Sequence, residues 1–351
     1  MEDFVTKGGP MPPRIGKIDQ ETFEQIILPR LGKKDGTVLV GPRSGVDGAV
    51  VELPGGEVMA IAEDPTFGMP VLMPHFGWSI VHISASDVAV LGLKPRYLTI
   101  CLLLPPDTGE DVLEGIWQEV SGECEKLGIA IVGGHTGFYA GITYPLNGGC
   151  TVIGIGRRDE LVLPSGAMVG DRVLITKGPA IEATGILAHQ AEEELTRHLG
   201  REVVEKGKEY FFKMSVIQDA LLSARYAHAM HDATEGGLLN GVYEVAQASG
   251  IGVTVYEGKI PISEETAAIC GYFGLDPLIS ISEGTLVIAV PPENVEVLIR
   301  ALKFKGIPAW EIGEITEGGR NIVRRSGKKE ELLPVSVDPF WGAYFSTLGE
   351  K

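Results

Sequence analysis

The chain has 351 residues, of which 44% are hydrophobic, and a formal net charge of −17. At about 100–200 residues per domain, this length predicts two domains, each able to bury a core of its own. The acidic balance opposes binding to the phosphates of nucleic acid and to anionic lipid, so neither is an expected partner.

Neither a membrane span nor a secretion signal is expected. No apolar run reaches the roughly 18 residues of a spanning helix, and the polar residues 1–14 lack the apolar core of a signal peptide. The four cysteines, Cys101, Cys124, Cys150 and Cys270, form no CxxC pair. We therefore expect reduced core cysteines rather than a zinc site or disulfides, which fits a cytoplasmic protein.

The first part of the chain predicts a flexible lead and a helix, both within residues 1–35. The helix rests on the spacing of Phe23, Ile26, Ile27 and Leu31. The elements expected next are strands at 38–40, 49–53 and 58–62, a buried helix at 80–91, a strand at 97–104, an amphipathic helix at 109–127, and strands at 130–132 and 149–156.

The turn-rich stretch 163–171 is the expected domain junction, which gives an N-terminal domain at 36–162 and a C-terminal domain at 163–351. Alternating strands and helices indicate an α/β or α+β fold, and spacing alone leaves the topology open. The second half predicts strands at 172–176, 252–256, 285–290 and 310–315, helices at 181–190, 192–213, 215–229, 236–248 and 295–304, and a hairpin or loose end from Arg320.

Two aspartates in the first half are candidate metal ligands. Asp47, followed by Gly48, lies in a glycine-containing approach to a strand, where backbone amides can lie against phosphates. Asp64 ends an apolar strand, and carboxylate oxygens at such a place suit Mg²⁺. A simple turn at Asp47 and a solvated strand end at Asp64 are the alternatives.

Asp87 is the most informative residue of the first half. It lies inside an apolar, small-residue segment, residues 82–92. Burying a lone carboxylate there would cost several kcal/mol unless it is paired, hydrogen-bonded or metal-bound. Asp87 is therefore a candidate catalytic and metal-binding residue, with helix capping as the alternative.

A double glycine follows the strand predicted at 130–132. Gly133 and Gly134 allow a ligand to approach the backbone closely, and Thr136 lies two residues beyond them. The intervening His135 could bind phosphate, act as an acid or base, or donate a structural hydrogen bond.

A second double glycine opens a predicted helix. Gly236 and Gly237 follow Asp232 and Thr234, and amides at a helix start attract anions. Ordinary helix capping by Asp232 or Thr234 explains part of this pattern. Glu283, which precedes an apolar strand, is a further candidate, with turn formation as the alternative.

Each of these signals is weak alone, and no Walker-type, GxGxxG, GxSxG or HExxH motif is present. Taken in order, however, the segments resemble the aminoimidazole-ribonucleotide-synthetase (PurM) superfamily, over residues 38–315. Residues 82–98, HISASDVAVLGLKPRYL, are similar to that family's Asp-Val-Ala-Val segment. Residues 231–253, HDATEGGLLNGVYEVAQASGIGV, resemble a segment of its HypE-like hydrogenase-maturation branch, and residues 260–290 continue in register.

The resemblance implies a two-domain PurM/HypE-like fold. Its first domain would be a mainly four-stranded sheet that forms a barrel with a second copy in a homodimer. ATP and Mg²⁺ would lie in clefts shared with the second domain and the partner subunit. The resemblance assigns metal binding to Asp47, Asp64 and Asp87, catalysis to Asp87 and His135, and nucleotide binding to Asp47, Gly48, Gly133, Gly134, Thr136, Asp232, Thr234, Gly236, Gly237 and Glu283.

The implied function is an ATP- and Mg²⁺-dependent enzyme that phosphorylates or activates a small-molecule or carbamoyl-type acceptor. A nucleotide-binding assembly scaffold with a maturation-protein partner, and a small-molecule kinase like thiamine-monophosphate kinase, are the alternatives. The chain departs from the HypE pattern at His135, which replaces Asp, and at Glu235, which replaces Arg. Its last cysteine is Cys270, so no dehydration on a C-terminal thiol is expected.

Overall fold

The structure, a computed structural model, describes residues 16–43, 45–142 and 147–348. The predicted flexible lead, residues 1–15, lies outside them. Two mixed sheets, each with helices packed on it, form the described part of the chain. This arrangement confirms the expected α/β (α+β) class and the two-domain type of fold.

A helical stretch comes first, composed of α1 (Gln20–Thr22), a π-helical turn (Phe23–Ile27) and a 3-10 turn (Leu28–Arg30). Asp19 caps it, because its carboxylate accepts a hydrogen bond from the amide of Thr22 at 2.8 Å. The helix predicted from apolar spacing is confirmed, but none of its residues is buried.

The first sheet has the strand order β1-β2-β3-β6-β4-β5. Only β4 and β5 run parallel. It has six strands instead of the four implied by the resemblance, because a short β1 pairs at one edge and the double-glycine segment continues as β5 at the other. The strands are β1 (Val38–Val40), β2 (Ala49–Glu52), β3 (Glu57–Phe67), β4 (Pro95–Leu104), β5 (Ala130–Phe138) and β6 (Asn147–Arg157).

One face of this sheet is covered by α2 (Phe76–Val90), which follows a 3-10 turn (Pro70–His75), and α3 (Glu110–Leu127) packs on α2. In β4 every second residue from Leu98 to Leu104 is buried, which is the period of two expected for a strand with one covered face. The opposite face carries half-exposed apolar side chains, namely Met59, Ile61, Ile153 and Ile155.

The second sheet has the order β13-β12-β9-β11-β7-β10-β8, with only β9 and β12 parallel. β10 lies between β7 and β8 and is buried at all six residues, as expected for a central strand covered on both faces. The strands are β7 (Arg172–Thr176), β8 (Ala229–Ala233), β9 (Gly252–Tyr256), β10 (Thr285–Val290), β11 (Ala309–Thr316), β12 (Arg320–Val323) and β13 (Lys329–Glu331).

Helices surround this second sheet. They are α4 (Ile181–Gln190), α5 (Glu192–Leu199), α6 (Arg201–Lys208), α7 (Ile217–Ser223), α8 (Gly237–Ala248), α9 (Glu264–Tyr272), α10 (Val295–Phe304) and α11 (Phe340–Thr347). Short 3-10 turns lie at Arg158–Glu160, Pro164–Gly166, Phe211–Lys213, Glu257–Lys259 and Pro292–Asn294.

The two halves share one apolar core. Val88 of α2, Ile217 of α7 and Leu286 of β10 belong to the same cluster of buried side chains. The hydroxyl of Ser86 also accepts a hydrogen bond from the amide of Val216 at 3.0 Å. α2 is thereby held against the second half, and the candidate site forms at this junction. The domain boundary expected at 162/163 falls between β6 and β7 and stays a prediction.

One local prediction is wrong, and two others describe less than the structure contains. The strand predicted at 130–132 is present but longer, because it pairs with β4 as far as Phe138. The wrong prediction is the helix at 215–229: it ends at Ser223, and β8 follows because residues 229–233 pair with β10. The tail forms the β12–β13 hairpin as expected, but it ends in α11, where Phe340 and Tyr344 enter a buried cluster.

Within the described ranges, no helix is both long enough and apolar enough to cross a membrane. The cysteines are all unbonded; Cys124, Cys150 and Cys270 are buried and Cys101 is half-buried. Burial raises the pKa of the Cys124 thiol to about 11, so it stays protonated at neutral pH. Three of the four cysteines thus lie in the core as expected, and their reduced state stays a prediction.

Candidate active site

Five carboxylates meet where the two halves join, and we call them the acid cluster. Asp47 precedes β2, Asp64 lies in β3, and Asp87 lies near the end of α2. The second half contributes Asp232 from β8 and Glu283, which precedes β10. Asp87 interacts electrostatically with all four of the others, so the fold gathers the predicted acids from both halves into one place.

Asp87 and Asp64 are neighbouring carboxyl groups that interact electrostatically. Asp87 is only 8% exposed. Burial, and then the negative charges of Asp64 and Asp232, raise the pKa of Asp87 well above its ordinary value. Burial also raises the pKa of Asp64. Two neighbouring buried carboxyl groups cannot both ionise easily, and a bound cation would relieve their repulsion.

Asp232 and Glu283 bring buried oxygens that lack a hydrogen-bond partner. Neither carboxylate oxygen of Asp232 has one among the described residues, and the same holds for Oε1 of Glu283 and Oδ2 of Asp64. Burial and the charge of Asp47 raise the pKa of Asp232 to about 7. Buried polar atoms are rarely left unsatisfied, so these oxygens indicate a missing ligand.

His231 joins the two halves through two carboxylates. Its Nδ1 lies 2.8 Å from Oδ2 of Asp47, and its Nε2 lies 2.9 Å from Oε2 of Glu244. Burial opposes protonation of this ring, but the charge of Asp47 and the bonds to both carboxylates hold the pKa of His231 well above its ordinary value. The imidazolium thus partly neutralises the site and fixes the position of Asp47.

Lys17 supplies a second cation from the start of the described chain. Its Nζ donates to Oγ1 of Thr234 at 3.0 Å, and its backbone amide donates to Glu235 at 3.0 Å. Desolvation of the ammonium group opposes its charge, but Glu244 and Asp87 outweigh that effect and raise the pKa of Lys17. The residue as a whole is exposed, so its charged end enters the site from the surface.

The donor set fits a divalent cation. Asp47, His231 and Asp232 each offer a ligand atom, and these atoms lie within 4.8 Å of one another. Both ring nitrogens of His231 already contact carboxylates, so the donors that remain are oxygens. An all-oxygen set, with unsatisfied oxygens on Asp64 and Asp232, suits Mg²⁺ better than a softer metal.

The second double glycine has a different local structure from the one predicted. Asp232 lies in β8 instead of at a helix start, and α8 begins at Gly237. The amide of Gly236 donates to Asp338 at 2.7 Å, and that of Gly237 donates to the carbonyl of Thr234 at 3.0 Å. These two amides are therefore engaged within the chain, and a nucleotide-binding role for both glycines stays a prediction.

His135 projects from the face of the first sheet that is turned away from α2, the helix that carries Asp87. Asp64, Cys150, Ile100 and Gly134 lie in one row across the sheet, and this row faces α2. The row spans three strand spacings, or about 14 Å. His135 follows Gly134, so its side chain projects from the opposite face, where its Nε2 lies 2.6 Å from the hydroxyl of Tyr139.

The first double glycine therefore lies at a sheet edge and not in a phosphate loop. Gly134 has φ +146°, and a Cβ there would collide with the carbonyl oxygen of Ile100. Close strand packing accounts for this glycine without a ligand. The structure brings Asp47 and its neighbour Gly48 to the site, whereas Gly133, Gly134, His135 and Thr136 lie on a different strand, and their binding roles stay predictions.

Sequence reasoning did not select Lys17, His231, Glu244 or Glu182. Glu182 lies in α4, and its Oε2 accepts a hydrogen bond from the amide of Glu283 at 3.3 Å. Burial raises the pKa of Glu182 to about 8. His231, adjacent to Asp232, carried a usable signal, since it is a polar residue in an apolar run. Lys17 carried none, because its charge meets the acids only after folding.

Two family models match most of the chain. The N-terminal domain of AIR synthase related proteins matches residues 45–155, and the C-terminal domain of the same proteins matches residues 168–326. All five members of the acid cluster lie inside these two matched regions.

Known relatives and a solved structure agree with these matches. A protein of Methanocaldococcus jannaschii assigned to hydrogenase expression/formation is 28% identical over 92% of this chain and 96% of its own. Thiamine-monophosphate kinase of Pyrococcus abyssi is 29% identical over 74% of this chain and 76% of its own. Hydrogenase maturation protein HypE in complex with ATP has a TM-score of 0.66 at 24% identity, over 91% and 93% of the two chains.

Proposed function

Because the chain belongs to the AIR synthase related family, on its HypE-like branch, we propose that it is an ATP- and Mg²⁺-dependent enzyme. It transfers the terminal phosphoryl group of ATP to an oxygen of a small-molecule or carbamoyl-type acceptor, which activates that acceptor. The observation that carries the proposal is the acid cluster, with unsatisfied buried oxygens on Asp64, Asp232 and Glu283.

The acid cluster supplies the groups that such a transfer needs. Bound Mg²⁺ would neutralise charge on the transferring phosphoryl group, and Asp47, Asp64 and Asp87 are the residues that would hold it. His231 fixes Asp47 by its hydrogen bond, and burial at the domain junction limits access of water. Lys17 and Thr234, whose side chains are bonded to each other, lie at the exposed side of the cluster, where phosphates would arrive.

Two types of enzyme fit this proposal, and they differ in the acceptor of the phosphoryl group. One is an activating enzyme of the hydrogenase-maturation type, supported by the relative from Methanocaldococcus jannaschii. The other is a small-molecule kinase, supported by the relative from Pyrococcus abyssi. The same acid cluster serves either reaction, since both begin with transfer of a phosphoryl group from ATP.

An assembly role is the second candidate function, in which the protein binds nucleotide and a maturation partner. Half-exposed apolar residues on the open face of the first sheet support a homodimer in either case. The exposed side chain of Phe138, at 50% exposure, lies on the edge strand of that sheet. Stable association would bury such residues.

A thermal-shift titration with ATP and MgCl₂, together and separately, tests the proposal. A ligand at about 100 times its Kd adds about 2.7 kcal/mol to the free energy of unfolding. We expect the largest shift when both are present, accompanied by ADP formation once an acceptor is supplied. Binding without turnover on any acceptor would favour the assembly role. The absence of a shift with ATP and Mg²⁺ together would contradict both.

A further inference from the structure

A cavity of about 740 Å³ lies between the two halves, and none of the acid-cluster residues lines it. Its volume is in the range of small-molecule binding sites. Five lysines line it, although the whole chain has a net charge of −17. We call it the lysine cleft, and its lysines are Lys94, Lys126, Lys177, Lys213 and Lys305.

The positive charge of this cleft is poorly compensated within the chain. Asp219 is the one acidic residue of its lining, and it pairs with Lys177 at 3.0 Å. Lys126 pairs with Glu123 at 2.7 Å. Lys94 and Lys305, by contrast, form no ion pair with any residue in the described ranges. Two lysines therefore face the cavity with no carboxylate of their own.

Lys177 is built into the wall of the cleft. Its backbone has φ +62°, a left-handed conformation that is uncommon for a residue with a side chain. Its side chain is only 10% exposed, and its Nζ donates to the carbonyl of Ser215 at 2.7 Å. The fold thus holds one ammonium group in a fixed place, which a merely solvated surface lysine would not require.

Lys213 lies beside this fixed charge. Its Nζ is 3.6 Å from the centre of the Tyr210 ring. Burial lowers the pKa of Lys213, and the charge of Lys177 adds to that effect against the opposing charges of Glu209 and Glu265. Repulsion between neighbouring ammonium groups would be relieved by a bound anion.

Apart from Ser215, Gln218 and Asp219, the remaining wall of the cleft is apolar and aromatic. Leu221 and Leu222 of α7 line it together with Phe212 and His82. The ring of His82 stacks on Trp78 with 4.4 Å between ring centres, and its Nδ1 lies 2.9 Å from the hydroxyl of Ser215. A ligand that fits this lining has a charged end for the lysines and an apolar body for the remaining wall.

We propose that the lysine cleft is a second binding site, which takes a phosphorylated small molecule with an apolar or aromatic body. The phosphate would lie among Lys94, Lys177, Lys213 and Lys305, and the body would lie against Phe212 and the leucines of α7. This site is separate from the acid cluster. His82 and Asp87 are five residues apart on α2, which places their side chains about 140° apart around the helix.

Titration calorimetry with phenyl phosphate and with inorganic phosphate, both in EDTA, tests this inference on the full chain. EDTA removes the divalent cations that an anion would need at the acid cluster. We expect both probes to bind, and phenyl phosphate to bind several-fold more tightly because of the apolar wall. Equal affinity for the two probes would overturn the role of the apolar wall in binding the body of the ligand. If neither probe binds, the whole proposal is overturned.

The variant Lys94→Gln/Lys305→Gln should weaken both probes at least tenfold. Its matched control is Lys303→Gln/Lys329→Gln, which removes the same charge from exposed lysines outside the cleft lining. Equal weakening in the two double variants would mean that only net charge matters, and would overturn the site. Both variants should keep the shift with ATP and Mg²⁺, so the outcome is independent of the proposed function.

Discussion

The acid cluster and the lysine cleft lie on different sides of α2 and carry opposite charge. In the acid cluster, buried carboxylates are gathered from both halves, and Lys17 and His231 bring positive charge to it. In the lysine cleft, most ammonium groups lie at the exposed rim, and only Lys177 is fixed in the wall. The first arrangement shifts protonation strongly, whereas the second leaves most charges in contact with water.

This difference indicates how a bound ligand would stabilise each region. Desolvated carboxylates are unstable as anions, so a cation relieves a strain that the fold already carries. Solvated lysines carry little strain, so an anion there gains mainly from simultaneous contacts and from the apolar wall. Ligand effects on stability should therefore be larger and more pH-dependent at the acid cluster.

The largest effect should follow from Asp87→Asn. This carboxylate is one of the three proposed metal ligands, so on that proposal phosphoryl transfer should fall at least about 100-fold. The melting temperature without ligand should stay equal or rise, because repulsion with Asp64 is relieved. Rates of ADP formation beside thermal unfolding check this. Asp107→Asn, an exposed position outside the site, is the control, and full turnover in Asp87→Asn would remove that residue from the mechanism.

Replacing His231 should cost the most stability. In His231→Leu, the carboxylates of Asp47 and Glu244 lose the cation between them, and such a loss costs about 3 kcal/mol. The pKa of His231 is raised on folding, so its stabilisation is complete below about pH 6.5 and is lost as pH rises through the folded value. Chemical denaturation at two pH values measures this.

The comparison for this variant is His228→Leu. His228 is partly exposed and contacts one carboxylate, that of Asp171, at 3.0 Å. Its loss should cost less than the loss of His231, because the ring is partly exposed and only one carboxylate loses its partner. Equal costs at the two positions would mean that the two-carboxylate bridge of His231 has no special role.

Stability without metal should fall as pH rises from about 4 to about 8. Asp232 and Glu182 have raised pKa values in the folded chain, about 7 and about 8, so the folded state binds more protons than the unfolded state across this range. The slope of unfolding free energy with pH is then negative. Excess MgCl₂ should raise the melting temperature more at about pH 8 than at about pH 5. A shift of equal size at both would argue against binding at these carboxylates.

The smallest effect should come from Lys17→Met. Loss of one charged contact to nucleotide phosphates should weaken ATP–Mg²⁺ binding about tenfold, or about 1.4 kcal/mol. Lys33→Met is the matched control, because Lys33 pairs only with Asp35 on the surface. Fluorescence titration with a nucleotide analogue measures both. If the two variants bind alike, Lys17 is a counter-ion of the acid cluster and not a phosphate contact.

The resemblance of the ordered segments to the PurM superfamily predicted the two-domain fold. It also selected candidate site carboxylates from several distant segments. Asp47, Asp64, Asp87, Asp232 and Glu283 each stood out as a carboxylate beside an apolar run, and folding brings all five together. The sequence could not predict from which face of the first sheet His135 projects, because that depends on the length of β5 and on the pairing of β5 with β4. A local pattern of Gly-Gly-His-Thr is compatible with either a strand or a loop.

The sequence by itself determined which segments are apolar, which carboxylates interrupt them and which family pattern they follow, because these are local properties of the chain. Only the tertiary structure decided that Lys17 meets Thr234, that His231 joins Asp47 to Glu244, and that five distant lysines share one cleft. These contacts join residues up to 217 positions apart. Their strength depends on burial and on the distances between charges. Both are set only when the second half packs against α2 of the first half.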